Sequence, residues 1–84
     1  MKVMDCVEVL AEKEMYSKYG VHKGMQGWIC NDTCVDGHWL VNFPRYGEQN
    51  DIAEIDIKET DLRLLPNGMD VKQNEQIFAY FEGQ

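Results

Sequence analysis

The sequence predicts a single all-β domain, a small barrel of about five short strands, and three observations carry that prediction. Apolar and polar residues alternate in several short runs, which is the period of half-buried strands. Clusters of Asn, Asp, Gly and Pro separate the runs with turn chemistry. The chain's 84 residues, 44% hydrophobic and 11% aromatic, suffice for one compact core, because chains of this size bury roughly 60 to 65% of their unfolded surface.

Residues 5–11 form the first strand, with Val7 and Val9 on one face beside Asp5, and Cys6, Glu8 and Leu10 on the other. A long first loop, residues 12–24, mixes charges with Tyr16 and Tyr19 and closes on Gly20 and Gly24. Loops of this length in a small domain carry function or fold over as a hairpin of their own. Residues 25–31 form strand two, with Met25, Gly27 and Ile29 facing one way and Trp28 and Cys30 the other. Gly27 suits a close backbone approach or a sharp bend.

The turn residues of NDTCVDG lead into strand three, residues 38–43, where Trp39, Val41 and Phe43 alternate with His38, Leu40 and Asn42. Strands two and three therefore make a hairpin. Pro44 ends strand three because it has no amide to donate to a ladder. Strand four spans residues 51–57, with Ala53, Ile55 and Ile57 opposite Glu54 and Asp56, so it supplies an acidic face. Asp61 is placed to cap a one-turn helix before a brief fifth strand built on Leu62, Leu64 and Leu65.

These strands confine the barrel to residues 1–65. Beyond Pro66 the composition changes, and Asn74, Ile77, Phe78 and Phe81 share one face at helical spacing. The C-terminal extension, residues 66–84, thus reads as a short helix on the barrel or on a partner, the alternative being a tail that orders only in an oligomer. Its apolar face, Ile77, Phe78 and Phe81, would also serve a homodimer.

The net charge of −7 is unevenly placed. Residues 1–24 balance four acids against four bases, whereas residues 46–61 hold six acids, Glu48, Asp51, Glu54, Asp56, Glu59 and Asp61, against Lys58 alone. Such a surface repels phosphate backbones, which bind through Lys and Arg, so nucleic acid is not an expected partner. No apolar run approaches the roughly 20 residues of a membrane span. Asp5 and Glu8 interrupt any secretory pattern after Lys2, and three cysteines, Cys6, Cys30 and Cys34, leave one unpaired in any scheme. A reducing cytoplasm is the expected compartment.

Four segments together carry a family likeness: Asp5-Cys-Val-Glu-Val9, Gly20-Val-His-Lys-Gly-Met-Gln-Gly-Trp-Ile29, Gly37-His-Trp-Leu-Val-Asn-Phe43 and Thr60-Asp-Leu-Arg-Leu64. With the long first loop and the one-turn helix before the last strand, they resemble the SH3-like small barrel, in the SH3/KOW-like pattern of small bacterial families of unknown function. In those families a strand Asp-x-Val-x-Val precedes a Lys-Gly-x-x-Gly-x-Ile turn and strand. The likeness covers residues 5–65 and implies the barrel. It leaves the ligand open.

Sites for chemistry are sparse. The spacing Cys30-x3-Cys34-x3-His38, with Cys6 or His22 as a fourth ligand, offers thiolate and imidazole to a metal, although structural zinc sites pair their cysteines as C-x2-C. Cys30 and Cys34 also flank a turn at a separation that a redox-sensitive disulfide would use. No acid or base is spaced to activate a nucleophile, so neither enzymatic activity nor a cofactor is expected.

The aromatic residues are the stronger lead. Tyr16 and Tyr19 in the first loop, Trp28 on the outward face of strand two and Tyr46 after strand three would line one shallow groove, with Glu48, Asp51 and Glu54 adding negative charge. Tyr and Trp are common interface anchors. Alternatively, Trp28 covers the barrel end or packs on the C-terminal helix. The reading is a non-catalytic module binding a protein or peptide, basic or proline-containing. The other reading is an accessory domain of an enzyme, or a metal- or redox-responsive domain using Cys30, Cys34 and His38.

Overall fold

The structure is a computed structural model of the chain, and it describes residues 1–47 and 50–83. Five antiparallel strands form one sheet: β1 Cys6–Val9, β2 Gln26–Ile29, β3 His38–Phe43, β4 Ala53–Lys58 and β5 Leu62–Leu64. The spatial order β4-β3-β2-β1-β5 curls into a half-barrel. A 3-10 turn, Glu59–Asp61, precedes β5, and a helix, here α2, Val71–Glu82, follows the barrel. The fold is the mainly β, SH3-like architecture expected.

Alternation along the strands sets the register. β3 and β4 pair Trp39 with Ile57, Val41 with Ile55 and Phe43 with Ala53, all turned inward, while Leu40 meets Asp56 and Asn42 meets Glu54 outside. A slip of one residue would turn the acids into the core, so burial locks the pairing. Val7, Val9, Met25, Ile29, Val41, Phe43 and Ile57 are essentially fully buried. Each contributes roughly 1.5–3 kcal/mol through the apolar surface it removes from water.

Gly27 fills the role its position predicts. A Cβ there would collide with the Asn42 carbonyl oxygen, since the β3 backbone occupies the space a side chain would need. Any other residue would push the two strands apart.

The first loop is more ordered than its composition implies. It contains a one-turn helix, α1, Glu14–Ser17, which drives Tyr16 into the core at 1% exposure. The Tyr16 hydroxyl donates to Asp61 Oδ2 at 2.7 Å, and Lys13 Nζ lies 2.8 Å from the same oxygen. Asp61 is therefore not the helix cap expected. It stands at the end of the 3-10 turn, whose preceding residue Lys58 makes no side-chain cap, and it ties the loop to β5.

The C-terminal extension is a helix seated on the barrel. Asp70 caps it by accepting the Lys72 amide at 3.0 Å. Ile77 and Phe78 join the core, and Phe81 stacks on His22 with ring centroids 3.5 Å apart. The apolar face expected on Asn74, Ile77, Phe78 and Phe81 thus packs largely within the chain. No described helix is long and apolar enough to cross a membrane.

Candidate functional site

The expected groove residues that the structure describes separate into four places. Tyr16 offers no surface at all, since its ring is core and its hydroxyl is spent on Asp61. Burial first, and then the hydrogen bond to the Asp61 carboxylate, raise its phenol above the ordinary tyrosine value. Tyr46, exposed, lies after β3, with its amide donating to Glu75 Oε1 at 2.9 Å. Glu48 falls outside the described residues.

Tyr19 and Glu54 do come together. They line a shallow groove with Met15, Leu40, Ile55 and Asp56, between α1 and β4. Tyr19 is 52% exposed and Met15 44%. Sequence reasoning missed four of these residues, but Leu40 carried a signal: it is an apolar residue at an outward position of β3. Met15 carried none, because its place depends on a helix the loop composition did not announce.

Trp28 and Asp51 lie beside the groove. Cross-strand pairing sets Cys6, Trp28, Asn42 and Glu54 in one outward row across β1 to β4. Asp51 Oδ2 accepts from Asn42 Nδ2 at 2.9 Å. Asn42 is 7% exposed, and its Oδ1 is buried without a partner among the described residues.

The thiols are not gathered into a metal-binding cluster among the described residues. Among the described residues no three His, Cys, Asp or Glu side chains gather to hold a metal ion, so Cys30, Cys34 and His38 form no such site. His38 Nδ1 lies 2.9 Å from the Asp36 carbonyl oxygen. Cys30 Sγ donates to Glu54 Oε1 at 3.3 Å. Burial, then that hydrogen bond and the Glu54 charge, push the thiol up to about 11. A thiol held protonated is a poor nucleophile and a poor ligand. All three cysteines are free.

A second polar cluster lies where α2 meets the sheet. Asn74, fully buried, accepts the Gln26 amide at 2.7 Å and donates to the carbonyls of Gln26 and Pro44 at 2.7 and 3.1 Å. Its amide thereby replaces a missing rung where β2 and β3 part. The Gln26 side chain joins Glu8 to the Asp70 amide, and Gln73 reaches both Glu8 and the Gly24 carbonyl. Burial would raise the Glu8 carboxyl, but hydrogen bonds from Arg63, Gln26 and Gln73 outweigh it and leave Glu8 below the usual range. Gln26 and Asn74 read in sequence as ordinary polar residues, since their partners lie 48 residues apart along the chain.

The α2 cluster is closed and its side chains are occupied, whereas the groove between α1 and β4 is open, apolar at its floor and acidic at its rim. That arrangement can hold a cationic segment with an apolar side chain. Comparisons with protein-family models, with curated proteins and with solved structures give no match, and the functional reading therefore rests on this geometry.

Proposed function

We propose that the domain is a non-catalytic protein-interaction module that holds a basic segment of a partner protein in the groove of Met15, Tyr19, Leu40 and Ile55. The observation that carries the reading is the gathering of these four apolar residues against the Glu54 and Asp56 carboxylates. An exposed apolar strip with a charged rim is the common form of an interaction surface. Trp28 and Asp51 extend it along the outward face. The acidic rim favours Lys and Arg and disfavours phosphate backbones. Three unpaired thiols support a reducing, cytoplasmic setting.

The test is an NMR titration of the 15N-labelled protein with a capped Lys- and Val-containing heptapeptide, beside its Glu-for-Lys counterpart. The basic peptide is expected to shift the amides of Tyr19, Leu40, Glu54 and Asp56, and to lose about tenfold in affinity to the Glu54→Gln/Asp56→Asn double variant. Equal binding of the two peptides, or shifts confined to another face, would sink the proposal.

A further inference from the structure

We infer that the partner segment docks as an added strand on the open edge of β4, with Lys or Arg at alternate positions opposite Glu54 and Asp56. This rests on the binding role proposed above and specifies its mode and its ligand.

β4 lies at one end of the sheet and, among the described residues, pairs only with β3. In an antiparallel ladder, alternate residues direct both backbone groups to the same side. Two hydrogen bonds establish which side is which: the Glu59 amide donates to the Gly37 carbonyl, toward β3, and the Lys58 amide donates to the Tyr16 hydroxyl, away from it. By alternation the amides and carbonyls of Asp56 and Glu54 also point away from β3. Among the described residues none of these four groups has a backbone or side-chain partner. They open onto the groove of Met15 and Tyr19.

Exposed edges are usually blunted by shortness, proline, a bulge or a charge. β4 has six residues, no proline and an unbroken register with β3. The opposite edge, β5, has three residues and carries Arg63. What guards β4 is the negative charge of Glu54 and Asp56. That guard is selective. Lys58 follows on the same face, but its amide is taken by the Tyr16 hydroxyl. A second copy pairing through the two open rungs would therefore bring glutamate and aspartate against their like, while a basic strand would place its cations directly opposite them at cross-strand distance. The intervening side chains would fall on the other face, toward α1, where Met15 and Tyr19 provide apolar contact. The ligand is therefore an extended segment of basic-apolar-basic pattern, held by main-chain hydrogen bonds and sorted by alternate side chains.

The experiment compares three probes: acetyl-Lys-Val-Lys-Val-Lys-Val-Lys-amide, the same peptide N-methylated on its lysines, and the same peptide N-methylated on its valines. Only one set of peptide amides can face β4, so one methylated form should bind like the parent and the other at least tenfold more weakly. Amide hydrogens of Glu54 and Asp56 should exchange more slowly in the complex. If the two methylated peptides behave alike, strand addition is overturned while the binding role stands. If the parent peptide fails to bind at millimolar concentration, both are overturned. Protection of the Glu54 and Asp56 amides that rises with protein concentration, without peptide, would assign the edge to a second copy and overturn the basic ligand.

Discussion

The end of the barrel under α2 and the edge formed by β4 face the same problem and solve it differently. In both places backbone groups lack a strand partner. Under α2, the Asn74 amide satisfies the Gln26 amide and the Gln26 and Pro44 carbonyls, Arg45 pairs with Glu75 through two hydrogen bonds, and the Arg45 guanidinium lies 4.5 Å from the Phe78 ring centroid. At β4, among the described residues, only Lys58 finds such a surrogate, in the Tyr16 hydroxyl, and the rungs at Glu54 and Asp56 stay open. A buried orphan is expensive and must be filled, whereas an exposed one is satisfied by water and stays available. The difference separates scaffold from surface.

Two tyrosines of the first loop give that contrast its largest expected effect. Tyr16→Ala should cost about 3–5 kcal/mol in urea denaturation, because it empties a fully buried aromatic position and frees the Asp61 carboxylate. Tyr19→Ala, three residues on, should leave stability within about 0.5 kcal/mol and weaken binding of the basic peptide. Comparable losses of stability at the two positions would erase the distinction between loop core and loop surface.

Next in size, Asn74→Ala should cost about 3 kcal/mol, since three buried backbone groups lose their partner and each orphan is worth roughly 1–3 kcal/mol before water enters. Fluorescence-detected denaturation checks it. A loss below about 1 kcal/mol would mean that α2 is not locked to β2.

The pH dependence follows from the same two regions. Burial acts to raise Glu8 and Asp61, but hydrogen bonds and the Arg63 and Lys13 charges hold both carboxyls below their ordinary values. A carboxyl lowered on folding adds stability above its unfolded pKa, about 4, and that stability is lost as pH falls through the folded value. Stability should therefore decline below about pH 4, and Asp61→Asn should flatten part of that decline. At the alkaline end, burial raises Tyr16 and Cys30, so their contributions are complete below about pH 8.5 and fade as pH climbs through the folded values. Cys30→Ala should shift only the onset of that limb, the smallest effect here. An unchanged alkaline limb in Cys30→Ala would place its cause at Tyr16 alone.

Much of the fold was legible because it rests on local alternation. His38 to Phe43 and Ala53 to Ile57 show their inward and outward faces in the bare sequence, and Gly27 announced a close approach that the Asn42 carbonyl explains. The helical spacing of Asn74, Ile77 and Phe78 likewise pointed to α2. The groove was legible only in part. Tyr19 and Glu54 were found from residue type, but Tyr16 was misplaced, because an aromatic in a polar loop looks exposed until a distant carboxylate captures its hydroxyl. Asp61 was misread for the same reason: its partners lie 45 and 48 residues away.

The sequence by itself determined that the chain would build a small β barrel with an acidic strand four, since both follow from short-range patterns of apolar, turn and charged residues. Only the tertiary structure decided which polar groups would close the barrel and which would stay open. Gln26, Asn74, Tyr16 and Asp61 acquire their partners from segments remote along the chain, and no local period records a hydrogen bond of that span. The open edge of β4 is likewise what remains once those partners are assigned.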